Sequence, residues 1–192
     1  MIQITKTTSK TVKKNIINRI SDVPGGVSLV LSTLIPGNVI PEGTPISAPA
    51  SGLRTICKQA KALTGSSTTV KKVTNGAHNF KVGDFLCTKE GGLAYAITTI
   101  TTSNGVDDIT VGTAIEASAA GDYLYEAAAQ SASTTSAFKN IPNTILKEAF
   151  EVPAASSQVI MVKDAYVRAD VVEDCIGAAY LAYLPQIAVI KY

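Results

Sequence analysis

Apolar residues in this chain come in short bursts, separated by Pro, Gly and Asn. The run from Leu29 to Pro49 sets the manner, with β-prone residues broken at Pro36-Gly37-Asn38 and again at Pro41-Glu42-Gly43. Pro fixes φ at the start of a turn and Gly accepts the positive φ that follows, so both tripeptides predict tight reversals. Val39-Ile40 between them is too short for a helix and fits a β rung. The stretch predicts a rigid β corner without a catalytic group.

Residues 69–127 continue in the same texture as a series of short strands. Asn75-Gly76, Glu90-Gly91-Gly92, Ser103-Asn104-Gly105 and Ala120-Gly121 separate them. Asn-Gly between two β-prone runs is a hairpin signal, because both central positions of a type I′ turn need positive φ. Period-2 alternation puts Leu93, Tyr95 and Ile97 on one face of a strand and Ala94, Ala96 and Thr98 on the other. Gly83-Asp84-Phe85-Leu86 is echoed by Gly121-Asp122-Tyr123-Leu124, a Gly-Asp turn leading an aromatic-Leu pair into a strand. Residues 53–63 are ambiguous. Ile56, Ala60 and Leu63 lie at helical spacing, whereas Thr55-Ile56-Cys57 prefers a strand.

Towards the C-terminus, Val159 to Val162 reads as a buried strand that Tyr166-Val167-Arg168 continues. Glu173-Asp174 then suits the positive end of a helix dipole, and predicts a helix from Asp174 to Leu184 with an apolar stripe of Ile176, Tyr180, Tyr183 and Leu184. Pro185 ends it, and Gln186 to Ile190 reads as a last strand. The expected organisation is an N-terminal arm (1–22), a β-rich base (23–66 plus 128–192) and an inserted β module (69–127).

Composition narrows the function. Hydrophobic residues make up 46% of the chain and charged residues only 17%. So few charges suit a surface covered by neighbouring subunits, or an ordinary β-rich domain with a Thr-rich surface. A net charge of +2, 6% aromatic residues and no Trp argue against a nucleic-acid binder. Cys57, Cys87 and Cys175 are odd in number and form no C-x-x-C pair, which fits a reducing cytoplasm better than a disulfide scaffold. The Lys-rich start has no apolar segment behind it, so no signal peptide is expected. The apolar run from Cys175 to Ile190 is broken by Pro185 and Gln186, so no membrane span is expected either.

The chemistry needed for an enzyme does not assemble. His78 is the only His, it sits in a turn entering a strand, and no nucleophile turn accompanies it. Asp84, Asp107, Asp108 and Asp122 stand in turn contexts, where Asp serves local backbone hydrogen bonds. Gly25-Gly26 and Gly91-Gly92 lack the Lys-Ser/Thr of a phosphate loop. No catalytic residue, cofactor or metal site is expected.

The order of parts resembles the head fibre and capsid decoration proteins of tailed bacteriophages. The matching pieces are the corner Val39-Ile40-Pro41-Glu42-Gly43-Thr44-Pro45-Ile46, the strand Val159 to Val162, Val167-Arg168, the Ala-rich segment Asp174 to Leu184, and the closing strand Gln186 to Ile190. The resemblance covers both ends of the chain and is interrupted by the module. It implies a mainly β fold: a small β-barrel or β-tulip base, one short C-terminal helix and an inserted antiparallel β module that projects. It also implies a homotrimer, made in the host cytoplasm and seated on the outer surface of the virion capsid. There it would bind the major capsid protein and reinforce the shell or display the module. Expected capsid or trimer contacts are Ile35, Val39, Ile40, Pro41 and Ile46, with the N-terminal arm, and Tyr180 and Tyr183; ordinary core packing is the alternative for both tyrosines. A different reading is a carbohydrate-binding or adhesin module, with Tyr95, Tyr123 and Tyr125 stacking on a host-surface glycan.

Overall fold

The computed structural model describes residues 16–22, 26–154, 159–162, 165–172 and 175–190. Before the module come β1 (Ile16–Asp22), β2 (Val27–Val30), β3 (Val39–Ile40), β4 (Pro45–Ser47) and β5 (Leu53–Arg54). The module holds β6 (Gln59–Lys61), β7 (Val70–Thr74), β8 (Phe85–Cys87), β9 (Tyr95–Ser103), β10 (Val106–Val111) and β11 (Tyr123–Ala127). After it come β12 (Pro142–Leu146), β13 (Phe150–Glu151), β14 (Val159–Val162), β15 (Ala165–Val172), α1 (Ala178–Leu181) and β16 (Ile187–Ile190).

The two halves of the base pair in nested order. β4 lies antiparallel to β12, β3 to β13, β2 to β14 and β1 to β15. The chain therefore runs inward through four rungs, makes the module, and runs outward through the partners of the same rungs. β5 joins β2 in parallel, and β16 joins β15 in parallel.

The fold is mainly β with one short C-terminal helix, but no barrel closes. The base is three open sheets of five, two and three strands. Strands β3 and β4 are short because the turns at Gly37 and Gly43, both at positive φ, flank them. The module is one open antiparallel sheet in the order β6-β11-β8-β9-β10-β7. Its ends approach each other, and the Leu63 N–H donates to the Lys72 carbonyl at 2.7 Å, but no ladder joins β6 to β7. The sheet takes β6 from residues before Thr69, so segment 53–63 resolves into strands and not a helix. At the β9–β10 hairpin Asn104 has φ 51° and Gly105 φ 77°, the pair of positive values that Asn-Gly predicts.

The C-terminal helix is one turn long, not the run from Asp174 to Leu184. Gly177 before it is extended, at φ −63° and ψ 139°, which stops the helix from starting earlier. Glu173 and Asp174 lie outside the described residues. After the turn the Tyr183 and Leu184 N–H groups reach back only three residues, to Tyr180 and Leu181, and Pro185 follows.

Three cores result. Leu29, Leu34, Ile40, Ile46, Ile56 and Leu146 fill the base. Val73, Phe80, Leu86, Ile97, Ile109 and Leu124 fill one face of the module. The third core joins them, with Cys87, Tyr125 and Ala127 from the module packed on Phe138, Tyr180 and Leu184. β11 alternates between two of these: Leu124 faces the module core and Tyr125 the junction, so both faces of its sheet are covered there.

Candidate functional site

The β corner is held from two sides. On the base side, the Gly37 N–H donates to the Val152 carbonyl and the Gly43 N–H to the Leu146 carbonyl, each at 2.8 Å. On the module side, the Ile35 N–H donates to Asn79 Oδ1 at 3.1 Å and Asn38 Nδ2 to the His78 carbonyl at 2.6 Å. Lys81 Nζ reaches the Ser32 carbonyl at 2.9 Å. Within the corner, Ile40 and Ile46 are 1% and 0% exposed and present no surface in this chain. Ile35 and Val39 are half-buried and Pro41 is exposed. Between the corner and the module lies a cavity of about 260 Å³, bounded by Val39, Pro41 and Thr44 on one side and by Lys61, Asn79 and Tyr123 on the other.

Tyr180 and Tyr183 part company. Tyr180 is fully buried, donates its hydroxyl to the Lys58 carbonyl at 3.2 Å, and meets Tyr125 and Phe138 edge-on at 4.7 and 4.8 Å. Tyr183 turns outward and donates to Glu90 Oε2. The shortness of α1 is the reason, since the turn after it rotates Tyr183 off the buried stripe.

The three tyrosines considered for glycan stacking do not share a groove. Tyr125 is buried, with a ring of its own kind on one side and Phe138 on another. Tyr95 is half-buried against the module core and Tyr123 against the junction core, so they serve opposite faces of the sheet.

His78 has a partner that sequence reasoning did not assign. Its Nε2 lies 2.8 Å from Asp107 Oδ2, and its Nδ1 accepts the Phe80 N–H at 3.2 Å. That pair of contacts fixes the tautomer with the proton on Nε2. Asp107 is also bonded by Asn75 Nδ2 and the Thr102 hydroxyl. Burial lowers the His78 pKa against the opposing pull of Asp107, so the ring is neutral. A general base needs a free ring nitrogen beside its substrate, and here both nitrogens are engaged. The dyad is a structural clasp between the loop after β7 and β10.

A second cluster was also missed. Lys58 Nζ donates to Asp84 Oδ2 at 2.6 Å and lies 3.4 Å from Glu126 Oε1. Lys139 Nζ lies 2.7 Å from the same Glu126 oxygen. The Lys58 and Glu126 side chains are each 2% exposed. Burial disfavours the Asp84 carboxylate, but hydrogen bonds from Lys58 and from the Lys81 N–H hold its pKa below the ordinary range. Glu126 goes the other way: burial pushes it up despite the two lysines. The available signal was strand parity, because Lys58 shares a face with the buried Ala60 and Ala62 once 59–61 is a strand.

No group of three or more His, Cys, Asp or Glu able to hold a metal occurs among the described residues. No helix among them is long and apolar enough to cross a membrane. Comparison with protein-family models, curated proteins and solved structures found no match.

Proposed function

We propose that this chain is a structural virion protein, a trimeric head fibre or decoration protein on the outer surface of a phage capsid. The reading rests on the resemblance of the two chain ends, and one observation supports it: pieces from both ends meet in one sheet. Corner strand β4 lies in the same five-stranded sheet as β15, which holds Val167-Arg168, and the closing strand β16, with β12 joining β4 to β15. The residues offered to the major capsid protein or to sister subunits are the accessible ones of the corner, Ile35, Val39 and Pro41, with Tyr183. Val82, 62% exposed, borders the same recess as Ile35 and extends this surface. No cofactor or enzymatic step belongs to this role.

The test is light scattering on the purified chain together with co-sedimentation with capsids from the phage that encodes it. A trimer that pellets with capsids, and that Val39→Asp releases, is the expected result. A monomer that stays in the supernatant overturns the proposal.

A further inference from the structure

Lys58, Asp84 and Glu126 sit where three strands meet. β11 lies between β6 and β8, with Tyr125 opposite Gln59 on one side and Cys87 on the other. Lys58 and Asp84 are each one residue before their strand, and all three side chains fall on the module's inner face beside Leu86 and Leu124. The Lys58 and Glu126 side chains are 2% exposed and that of Asp84 13%, so an amine and two carboxyls are held together with little access to water. Nothing in the capsid-protein reading calls for them.

We propose that Lys58 and Asp84 form an intramolecular isopeptide bond, with Glu126 as the proton-transfer residue. The geometry supplies the parts. The nucleophile stands 2.6 Å from one oxygen of the acyl group. That oxygen, Oδ2, also accepts the Lys81 N–H at 2.8 Å, a backbone donor that stabilises negative charge as the carbonyl is attacked. Glu126 Oε1 lies 3.4 Å from Lys58 Nζ, within reach of the proton that amide formation must remove. Burial favours the protonated Glu126 that the step needs.

The step balances without an outside reagent. A proton moves from the Lys58 ammonium to the Asp84 carboxylate, leaving an amine and an acid. Nζ adds to Cγ of Asp84, and the new C–N bond forms as the bond from Cγ to Oδ1 breaks. Oδ1 takes the proton that left Lys58 and a second one from Glu126 and leaves as water; Glu126 then takes one from Nζ, so it ends as it began. No electrons are exchanged with any partner. Two opposite charges buried at a desolvation cost become one neutral amide, and the water goes to bulk solvent, which drives the reaction forward. Lys139 is the competing amine. Its side chain is 43% exposed and its Nζ is 3.9 Å from Asp84 Oδ1, farther from the acyl group than Lys58.

The test is intact mass of the full chain after denaturation, followed by digestion and sequencing of the linked peptides. The expected mass is one water below that of the unlinked chain, with a branched peptide joining Lys58 to Asp84. Glu126→Gln keeps the shape of the site and is expected to restore the missing water. A wild-type chain at full mass, with Lys58 recovered in an ordinary linear peptide, overturns the proposal whether or not the variant folds. Water lost at another place, or a branch at Lys139, overturns it as well.

Discussion

His78 Nε2 and Asp107 Oδ2 stand 2.8 Å apart, and the other nitrogen of the ring accepts a backbone N–H. The ring is therefore held neutral, and its titration is linked to folding. Its folded pKa is lowered, while in the unfolded chain a histidine titrates near about 6.5. Between those values the unfolded chain binds a proton that the folded one refuses, so stability falls as pH drops below about 6.5. Asp107 has a lowered pKa too, where hydrogen bonds from Thr102, His78 and Asn75 outweigh burial, and its contribution is lost only as pH falls below about 3.9. Thermal melts from neutral pH to about pH 5 should show a falling midpoint in the wild type and a shallower fall in His78→Gln. At neutral pH that variant should also lose about 1–3 kcal/mol, the cost of leaving buried polar groups short of a partner. A wild-type midpoint that is flat across this window contradicts the account.

Gly177 is kept small by an aromatic ring and not by its backbone. A Cβ at this position would collide with Tyr125 Oη and come within 2.8 Å of Cε1 and Cζ. Its φ of −63° is open to any residue. Gly177→Ala should therefore cost about 1–3 kcal/mol by overpacking, as the junction core shifts to make room. Gly52 reverses the logic, with open space around its Cβ position but φ +77°. Gly52→Ala should cost about 1 kcal/mol through backbone strain alone. Urea unfolding of both variants separates the mechanisms, since only Gly177→Ala should alter the near-ultraviolet circular dichroism of the tyrosines.

Tyr180 and Tyr183 lie one turn apart and should respond differently to truncation. Tyr180→Ala removes the largest fully buried side chain among the described residues and should cost about 3–5 kcal/mol. Tyr183→Ala should change the stability of the isolated chain by about 0.5 kcal/mol or less. If Tyr183 serves the trimer, the same variant weakens self-association with little loss of subunit stability. Denaturant titrations at two protein concentrations distinguish these outcomes.

Thiol labelling reports the junction core. Cys57 and Cys87 are both fully buried. Burial raises the pKa of each thiol, and pushes Cys87 up to about 12, so neither offers a thiolate in the folded chain. Both should react only at the rate of unfolding, while Cys175, partly exposed, should react first. Prompt labelling of Cys87 under native conditions would mean that the module detaches readily from the base.

The parts readable in the sequence are those set by neighbours in the chain. Val39-Ile40 is a rung because turn residues flank it, and Asn104-Gly105 is a hairpin because few other residues accept two positive φ values. Of the stripe Ile176, Tyr180, Tyr183 and Leu184, all but Tyr183 are buried as its spacing implies. Its helix was overextended because the turn starts only after Gly177, which is extended and whose N–H is held by Gln59 Oε1, far away in the chain. The same limit hid both polar clusters. Asp107 reads as a turn residue until the β7–β10 register sets Val73 opposite it and brings His78 near. Lys58 reads as a surface lysine until β11 is laid beside β6. The nested pairing of the base is longer in range still, and no local pattern encodes it.

That nesting has a consequence for the order of assembly. Ile16 pairs with Val171, so β1 waits for a partner that leaves the ribosome long after it. In the module the β8–β9 and β9–β10 pairings close over short loops at little cost in closure entropy, whereas each outward rung of the base becomes cheap only after the rung inside it has closed. The expected sequence is module first, then β4 with β12, then β3, β2 and β1 with their partners. Pulsed hydrogen exchange should protect the β9–β10 hairpin before β1. The base thus closes like a zip from the inside out, and a chain cut short before β15 would carry a finished module on an open corner.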